Sequence, residues 1–238
     1  MDWNNDGIND LISGDTDGSV WVFINEGTKE EPVLAEGKQV EANGKVITKE
    51  KVTYKRVDGK VQTENDRPVI EKTVPANHEL AGPYSKLHYA DWTGDGLDDI
   101  LIGQLNNIVL YKNTGSKSNP EFGDPVELTN AGGEFPDRSS PFIYDWDNDG
   151  INDLVIGTES GEIFFYKNTG SERSPELAEA KEIELTWGET EGKSYRHRLD
   201  ITDWNNDGLT DLLIGDFYSV RTEETSKMGG FVWLFLGK

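Results

Sequence analysis

The phrase Asp-Trp-x-x-Asp-Gly followed by Ile or Leu, x, Asp and Leu or Ile occurs four times in this 238-residue chain, at 2–11, 91–100, 145–154 and 203–212. Each copy runs into a short apolar stretch ending at Gly14, Gly103, Gly157 or Gly215. One copy would say little. Four copies in one phase mean a single structural unit used repeatedly, and each unit presents a cluster of oxygen-bearing side chains.

The copies start 89, 54 and 58 residues apart, a period that suggests propeller blades. In the third repeat, 154–156 (Leu-Val-Ile) is a short apolar strand, 159–161 (Glu-Ser-Gly) a turn, and 163–166 (Ile-Phe-Phe-Tyr) a second strand. Residues 180–185 and 198–202 supply a third and a fourth. The second repeat follows the same plan at 100–102, 108–111, 125–128 and 141–144. Strands of this length between Gly and Asn turns are an all-β signature, and no stretch keeps a 3.6-residue apolar period. The expected fold is therefore a single all-β propeller domain over 1–238, with blades of four antiparallel strands in repeats 2–90, 91–144, 145–202 and 203–238. Trp3, Trp92, Trp146 and Trp204 are expected to pack between blades.

The long first spacing implies an insertion at about 38–78. Asn43-Gly44 and Asp58-Gly59 lie there between β-prone residues, which predicts an inserted β-ribbon. It carries nine Lys or Arg against six Asp or Glu, while the rest of the chain holds a net −25. Such a ribbon is a solvated element whose lysines protect its edges, or a contact for an acidic surface such as a second copy.

Calcium takes six to eight hard oxygens, and a tight loop delivers them from alternate positions. Positions 1, 3, 5 and 9 are Asp2, Asn4, Asp6 and Asp10; Asp91, Thr93, Asp95 and Asp99; Asp145, Asp147, Asp149 and Asp153; and Asp203, Asn205, Asp207 and Asp211. The backbone carbonyl of position 7 (Ile8, Leu97, Ile151, Leu209) is the expected fifth ligand. Gly7, Gly96, Gly150 and Gly208 stand where the chain must turn sharply. These are not EF-hands: position 12 is Ser13, Ile102, Ile156 or Ile214, not Glu, and a strand follows. Asx-rich turns explain one loop, but a turn needs one Asx, not three converging carboxylates that repel without a cation. Up to four Ca2+ ions are expected, with the third loop tightest by ligand charge and the second weakest.

A net charge of −22 argues against nucleic acid and anionic membranes as partners, and four Ca2+ ions would reduce it to −14. With no cysteine there is no disulfide framework. No stretch is apolar for long enough to span a membrane, so membrane insertion is not expected. Met1 leads directly into the first motif with no signal peptide, as if cut from within a larger protein.

The loop followed by an apolar-Gly strand resembles the FG-GAP/VCBS repeat family. Tyr-Lys-Asn-Thr-Gly-Ser at 111–116 and 166–171, with a variant at 23–28, is similar to VCBS-type repeats of secreted bacterial proteins. The resemblance covers all four repeats and implies a calcium-stabilised β-propeller, with the metal positions named above. Asn4, Thr93 and Asn205 depart from an acidic third position, which bears on affinity more than on fold.

About three and a half blades are visible, since no strand precedes Asp2 and only two strands, 212–214 and 231–236, follow Asp203. A fragment of a larger propeller is the favoured reading; a compact four-bladed ring and assembly of copies through open ends are the alternatives. Functionally the chain reads as an extracellular or cell-surface module for adhesion or for binding a protein or carbohydrate ligand. No catalytic constellation stands out. The alternative is a part of a polysaccharide-degrading enzyme such as a lyase, for which the departures from the repeat at 195–198 and 216–230, with Arg196, His197, Arg221 and Lys227, are the candidate residues.

Overall fold

A computed structural model describes residues 1–15, 18–47, 51–58, 60–64, 67–68, 70–74, 86–104, 106–187, 194–221 and 226–238. His78, Gly59 and residues 222–225 lie outside the described residues. The chain divides into two compact units: Met1–Ser85 with Thr114–Pro125, and Lys86–Asn113 with Val126–Lys238. The fold is all-β, with four small antiparallel sheets of propeller-blade type and no helix among the described residues. Accordingly, no helix is long and apolar enough to cross a membrane.

In the first unit, β1 (Leu11–Gly14), β2 (Val20–Phe23) and β3 (Lys38–Gln39) form a three-stranded sheet. Residues 38 and 39 thus belong to the blade rather than to the expected insertion. The ribbon follows as β4 (Glu41–Ala42), β5 (Lys45–Val46), β6 (Lys51–Tyr54), β7 (Arg56–Val57), β8 (Lys60–Val61), β9 (Thr63–Glu64), β10 (Arg67–Pro68) and β11 (Ile70–Val74). β4 pairs with β5, β6 with β11, β7 with β8, and β9 with β10. Asn43 and Asp58 take left-handed backbones at φ 52° and 50°, as the Asn-Gly and Asp-Gly turns require.

The second unit holds three blades. The first is β12 (Lys86–Ala90), β13 (Asp99–Gly103), β14 (Ile108–Tyr111) and β15 (Val126–Glu127). The next is β16 (Ser140–Tyr144), β17 (Asp153–Gly157), β18 (Ile163–Tyr166) and β19 (Lys181–Glu182). In both, the strand before the Asp loop pairs with the strand after it, so the loop is a turn within one blade. The hydrogen-bonded unit therefore begins one strand earlier than the sequence phrase.

The last sheet is β20 (Ser194–Thr202), β21 (Asp211–Arg221), β22 (Ser226–Gly229) and β23 (Val232–Phe235). β21 is longer than the 212–214 strand read from the sequence. Its second half, Tyr218 to Arg221, pairs with β22, so much of the expected 216–230 loop is a hairpin. The β-prone run Phe217-Tyr218-Ser219-Val220 accounts for the extension. β23 then returns to the first half of β21.

Period-two geometry explains the apolar runs. In β17, Leu154 and Ile156 point into a cluster with Trp92, Leu101, Leu110, Ile143 and Tyr166. Val155 points the other way, into a cluster with Ile163, Phe165, Ile201, Leu212 and Ile214. A sheet buried on both faces needs a continuous rather than an alternating apolar strand. The glycine closing each run has a matching cause. A Cβ on Gly103 would lie 1.8 Å from the Ser139 carbonyl oxygen, and one on Gly157 2.6 Å from that of His197, so the next blade's backbone occupies that space.

The motif tryptophans divide. Trp92 is buried in the first cluster, and Trp146 packs against the second, 6.2 Å from the Phe165 ring. Trp3 is half-buried and lies 5.8 Å from Phe122 within the first unit. Trp204 is 60% exposed, contrary to the expected interblade role. Trp92 is covered by strands of the succeeding blade.

Candidate functional site

The four Asp loops are built alike. The carboxylate at position 1 accepts the N–H of position 5 on one oxygen and of the position-6 glycine on the other. In the third loop these are Asp149 N at 3.0 Å and Gly150 N at 2.9 Å on Asp145. Asp2, Asp91 and Asp203 make the same pair of bonds. Position 5 then accepts the N–H of position 7, as Ile151 N does to Asp149 Oδ1 at 3.0 Å. Ile8, Leu97 and Leu209 repeat it. The position-6 glycines hold φ between 85° and 88°. Position 4 is left-handed too, with Asn5, Asn148 and Asn206 at 58–59° and Gly94 at 62°. Its signal was in the sequence, where position 4 is Asn or Gly in every copy.

Position 9 stands apart. Asp10, Asp99, Asp153 and Asp211 are buried. One oxygen of each accepts the N–H of the motif tryptophan: Trp3, Trp92, Trp146 and Trp204, at 2.8–3.2 Å. The other accepts the N–H of Asn25, Asn113, Asn168 or Gly237, at 2.7–2.9 Å. The ninth carboxylate thus ties the loop to the far end of the strand that pairs with the one following the loop. Burial raises Asp99 and Asp153 above the usual carboxylate range, although the backbone donors favour the ionised form. Asn25, Asn113 and Asn168 complete the tie by donating from Nδ2 to the carbonyls of Asn9, Asp98 and Asn152. That is the physical role of the Asn in the Tyr-Lys-Asn-Thr-Gly phrase.

Among the described residues, Asp145, Asp147 and Asp149 form a trio in which one carboxylate oxygen of each lies within 4.8 Å of the others. Asp153 is not in that trio; it is buried and accepts the backbone N–H groups of Trp146 and Asn168. The outer positions differ between loops. In the first and fourth, Asn4 and Asn205 donate from Nδ2 to Asp6 and Asp207 at 2.9 Å. In the third, Lys167 sits between Asp147 and Asp149, pairing with both, at 2.7 Å from Asp149 Oδ2. In the second, Lys112 pairs with Asp95 at 2.9 Å. Lys112 and Lys167 are the Lys of the repeated phrase; Ile24 and Leu236 stand there in the other repeats. Lys112 holds Asp95 below the usual carboxylate range, and Lys167 does so for Asp149. These tethered cations are the feature that reading ligand spacing missed.

The departures at 195–198 and 216–230 meet in one network. Ser194 Oγ donates to Asp216 Oδ2 at 2.6 Å and lies 2.9 Å from His197 Nε2. Since the serine proton points to Asp216, His197 Nε2 is the donor to Ser194, and the imidazole is no base for that hydroxyl. Burial pushes Asp216 up, but bonds from Ser194, Phe231 N and Trp233 Nε1 hold it below the usual range. His197 is 1% exposed and packs 4.8 Å from the Trp187 ring. His88, 4.0 Å from the Phe142 ring, is pushed by burial down to about 4.

Comparison with curated proteins gives no match. Among solved structures, the chain is similar to the Tc holotoxin pore of Photorhabdus luminescens, with 15% identity over 92% of this chain and 8% of that one, at a TM-score of 0.40. Similarity to a TcdB2-TccC3-Cdc42 complex has 15% identity, 90% and 13% coverage and a TM-score of 0.36; for TcdB2-TccC3 the values are 13%, 90%, 13% and 0.37. The chain thus spans 8–13% of the length of these chains. A model of the FG-GAP-like repeat matches residues 91–156 and 145–214, together more than half of the sequence. With that repeat matched twice and its loop built four times over, the chain belongs to the FG-GAP-like repeat family.

Proposed function

We propose that this chain is a calcium-binding β-propeller module that serves as an extracellular or cell-surface scaffold for a protein or carbohydrate ligand. The carrying observation is the converging trio of Asp145, Asp147 and Asp149 at the mouth of a loop whose backbone recurs in all four repeats. The donor set fits a hard divalent cation, being made only of oxygens. Positions 1, 3 and 5 would hold the ion, with the position-7 carbonyl and the ninth carboxylate as further donors. A bound ion supplies charge neutralisation among carboxylates that otherwise repel. Few-ligand, half-exposed loops suit the weak affinities, about 10⁻⁴–10⁻³ M, of extracellular calcium modules, which is the reason for the location proposed.

Ligand charge alone puts the third loop first. Lys167 offsets that advantage: four carboxylates less one ammonium match the three carboxylates of the first and fourth loops. The second loop, with three carboxylates and Lys112, stays weakest.

A non-catalytic role is favoured over the lyase alternative because His197, the histidine beside Arg196, is buried and already hydrogen-bonded. The deciding experiment is thermal unfolding of metal-free protein, then with millimolar Ca2+ and, separately, Mg2+. A calcium-specific rise in Tm is expected by linkage; an unchanged Tm defeats the proposal.

A further inference from the structure

Four cationic side chains, Lys86, Arg138, Arg196 and Arg198, gather round one carboxylate, Glu159, in the turn joining β17 to β18. Lys86 Nζ lies 3.2 Å from Glu159 Oε2. Arg138 Nη1 and Arg196 Nε lie 3.4 and 2.8 Å from Oε1. Arg198 acts electrostatically on both Lys86 and Glu159, and its Nη1 donates to the carbonyls of Arg196 and His197. The cluster carries an excess of three positive charges in a chain whose net charge is −22. Burial, followed by the charge of Arg198, pushes the Lys86 ammonium down to about 8. By charge count, four cations against one carboxylate, the cluster is positive.

The backbone around the cluster is strained. Arg138 and Arg196 take left-handed conformations, φ 52° and 59°, which long side chains rarely adopt. Such strain persists where the surroundings enforce it, and it clusters at ligand clamps. Arg196 sits in the bulge of β20, with its N–H donated to the Glu159 carbonyl at 3.0 Å. Its Nε is held by Glu159, and its guanidinium lies 4.9 Å over the Phe217 ring. The terminal edge, Nη1 and Nη2, makes no hydrogen bond to any described residue, and the side chain is 51% exposed. One edge is fixed and the other faces outward, a pre-organised fork for a planar oxyanion.

We propose that this cluster binds a carboxylate of an anionic ligand, held end-on by the terminal edge of Arg196 in the field of Arg138, Lys86 and Arg198. The free guanidinium edge can take both oxygens of a carboxylate, and the neighbouring cations suit a ligand that carries more than one such group. The group can belong to a small polycarboxylic acid or to a uronate unit of a polysaccharide. The site is separate from the Asp loops and does not depend on their binding calcium.

The test is calorimetric titration of metal-free protein with propane-1,2,3-tricarboxylate at low ionic strength, in parallel with sulfate at matched ionic strength and with a galacturonate trimer. Saturable 1:1 binding of the tricarboxylate is expected, tighter than sulfate, and weakened about tenfold or more by Arg196→Gln. Arg196→Lys, which keeps the charge but loses the fork, weakens it too. Arg173→Gln, at an exposed position outside the cluster, leaves it unchanged. Circular dichroism checks that each variant folds. Equal weakening by Arg196→Gln and Arg173→Gln, equal affinity for sulfate, or no saturable heat overturns the proposal. A trimer that binds more tightly than the tricarboxylate supports the site and a polysaccharide source; the reverse order supports the site and a small-acid source.

Discussion

The third and fourth Asp loops share one backbone and differ in the charge above it. In the third, Lys167 from the end of β18 reaches the outer carboxylates. In the fourth, the equivalent residue is Leu236, half exposed, and Asn205 instead bridges to Asp207. The second loop follows the third, through Lys112, and the first follows the fourth, through Ile24 and Asn4. One loop geometry thus accepts two solutions to carboxylate repulsion: a tethered ammonium, or a neutral amide that lowers the charge. Loop shape is set by positions 1, 5, 6 and 9, which are common to all four copies, and the charge at the loop mouth by what surrounds positions 3 and 5.

The largest effect should come from the shared part. Asp153→Ala leaves the Trp146 and Asn168 N–H groups without an acceptor, at about 1–3 kcal/mol for each buried donor. Asp10→Ala does the same to Trp3 and Asn25 in a loop without a lysine. Denaturant unfolding without calcium should show similar losses for both; a loss confined to one class would break the division between shared frame and variable rim.

A smaller effect tests the rim itself. Lys167→Met should raise the calcium affinity of the third loop by about fivefold, while Leu236→Lys lowers that of the fourth by a similar factor, since exposed ion pairs are weak. Calcium titration of each variant against the parent measures both, and a change of the wrong sign in either removes the tethered-cation account.

The smallest effect is in acid. Lys167 holds Asp149 below its ordinary value of 3.8. A depressed carboxylate stabilises the fold above its unfolded pKa and loses that contribution as pH falls through the folded one. Metal-free protein should therefore lose stability below about pH 4 more steeply than Lys167→Met does. Parallel curves would mean that the lysine contributes nothing to the empty loop.

Much of this arrangement was legible in the sequence. Residues 163–166 form the strand expected of them, because an apolar run between two turns has one way to sit in a double-faced sheet. The third strands were overread. Residues 180–185 alternate as a strand should, and Ile183, Leu185 and Trp187 do pack on the core, yet only Lys181 and Glu182 join the ladder. Alternation reports burial, not pairing. The ninth aspartate was read as an ion ligand from its spacing; its tie to Asn168 was not legible, since it depends on a residue fifteen positions away. Lys167 escaped for the same reason, being eighteen residues from Asp149. The exposure of Trp204 was not legible, because the same motif residue is buried in another copy of the repeat.

Gly103 and Gly157 are each a missing methyl group that the next blade's backbone fills. Gly215 holds the same position in the last repeat, yet there, among the described residues, a Cβ would meet nothing nearer than the Arg198 Cβ at 4.0 Å. The unit therefore carries its own docking notch, cut whether or not a neighbour is seated in it. Duplicating such a unit supplies notch and filling strand together, so an array of these blades can lengthen without inventing a new interface at each step.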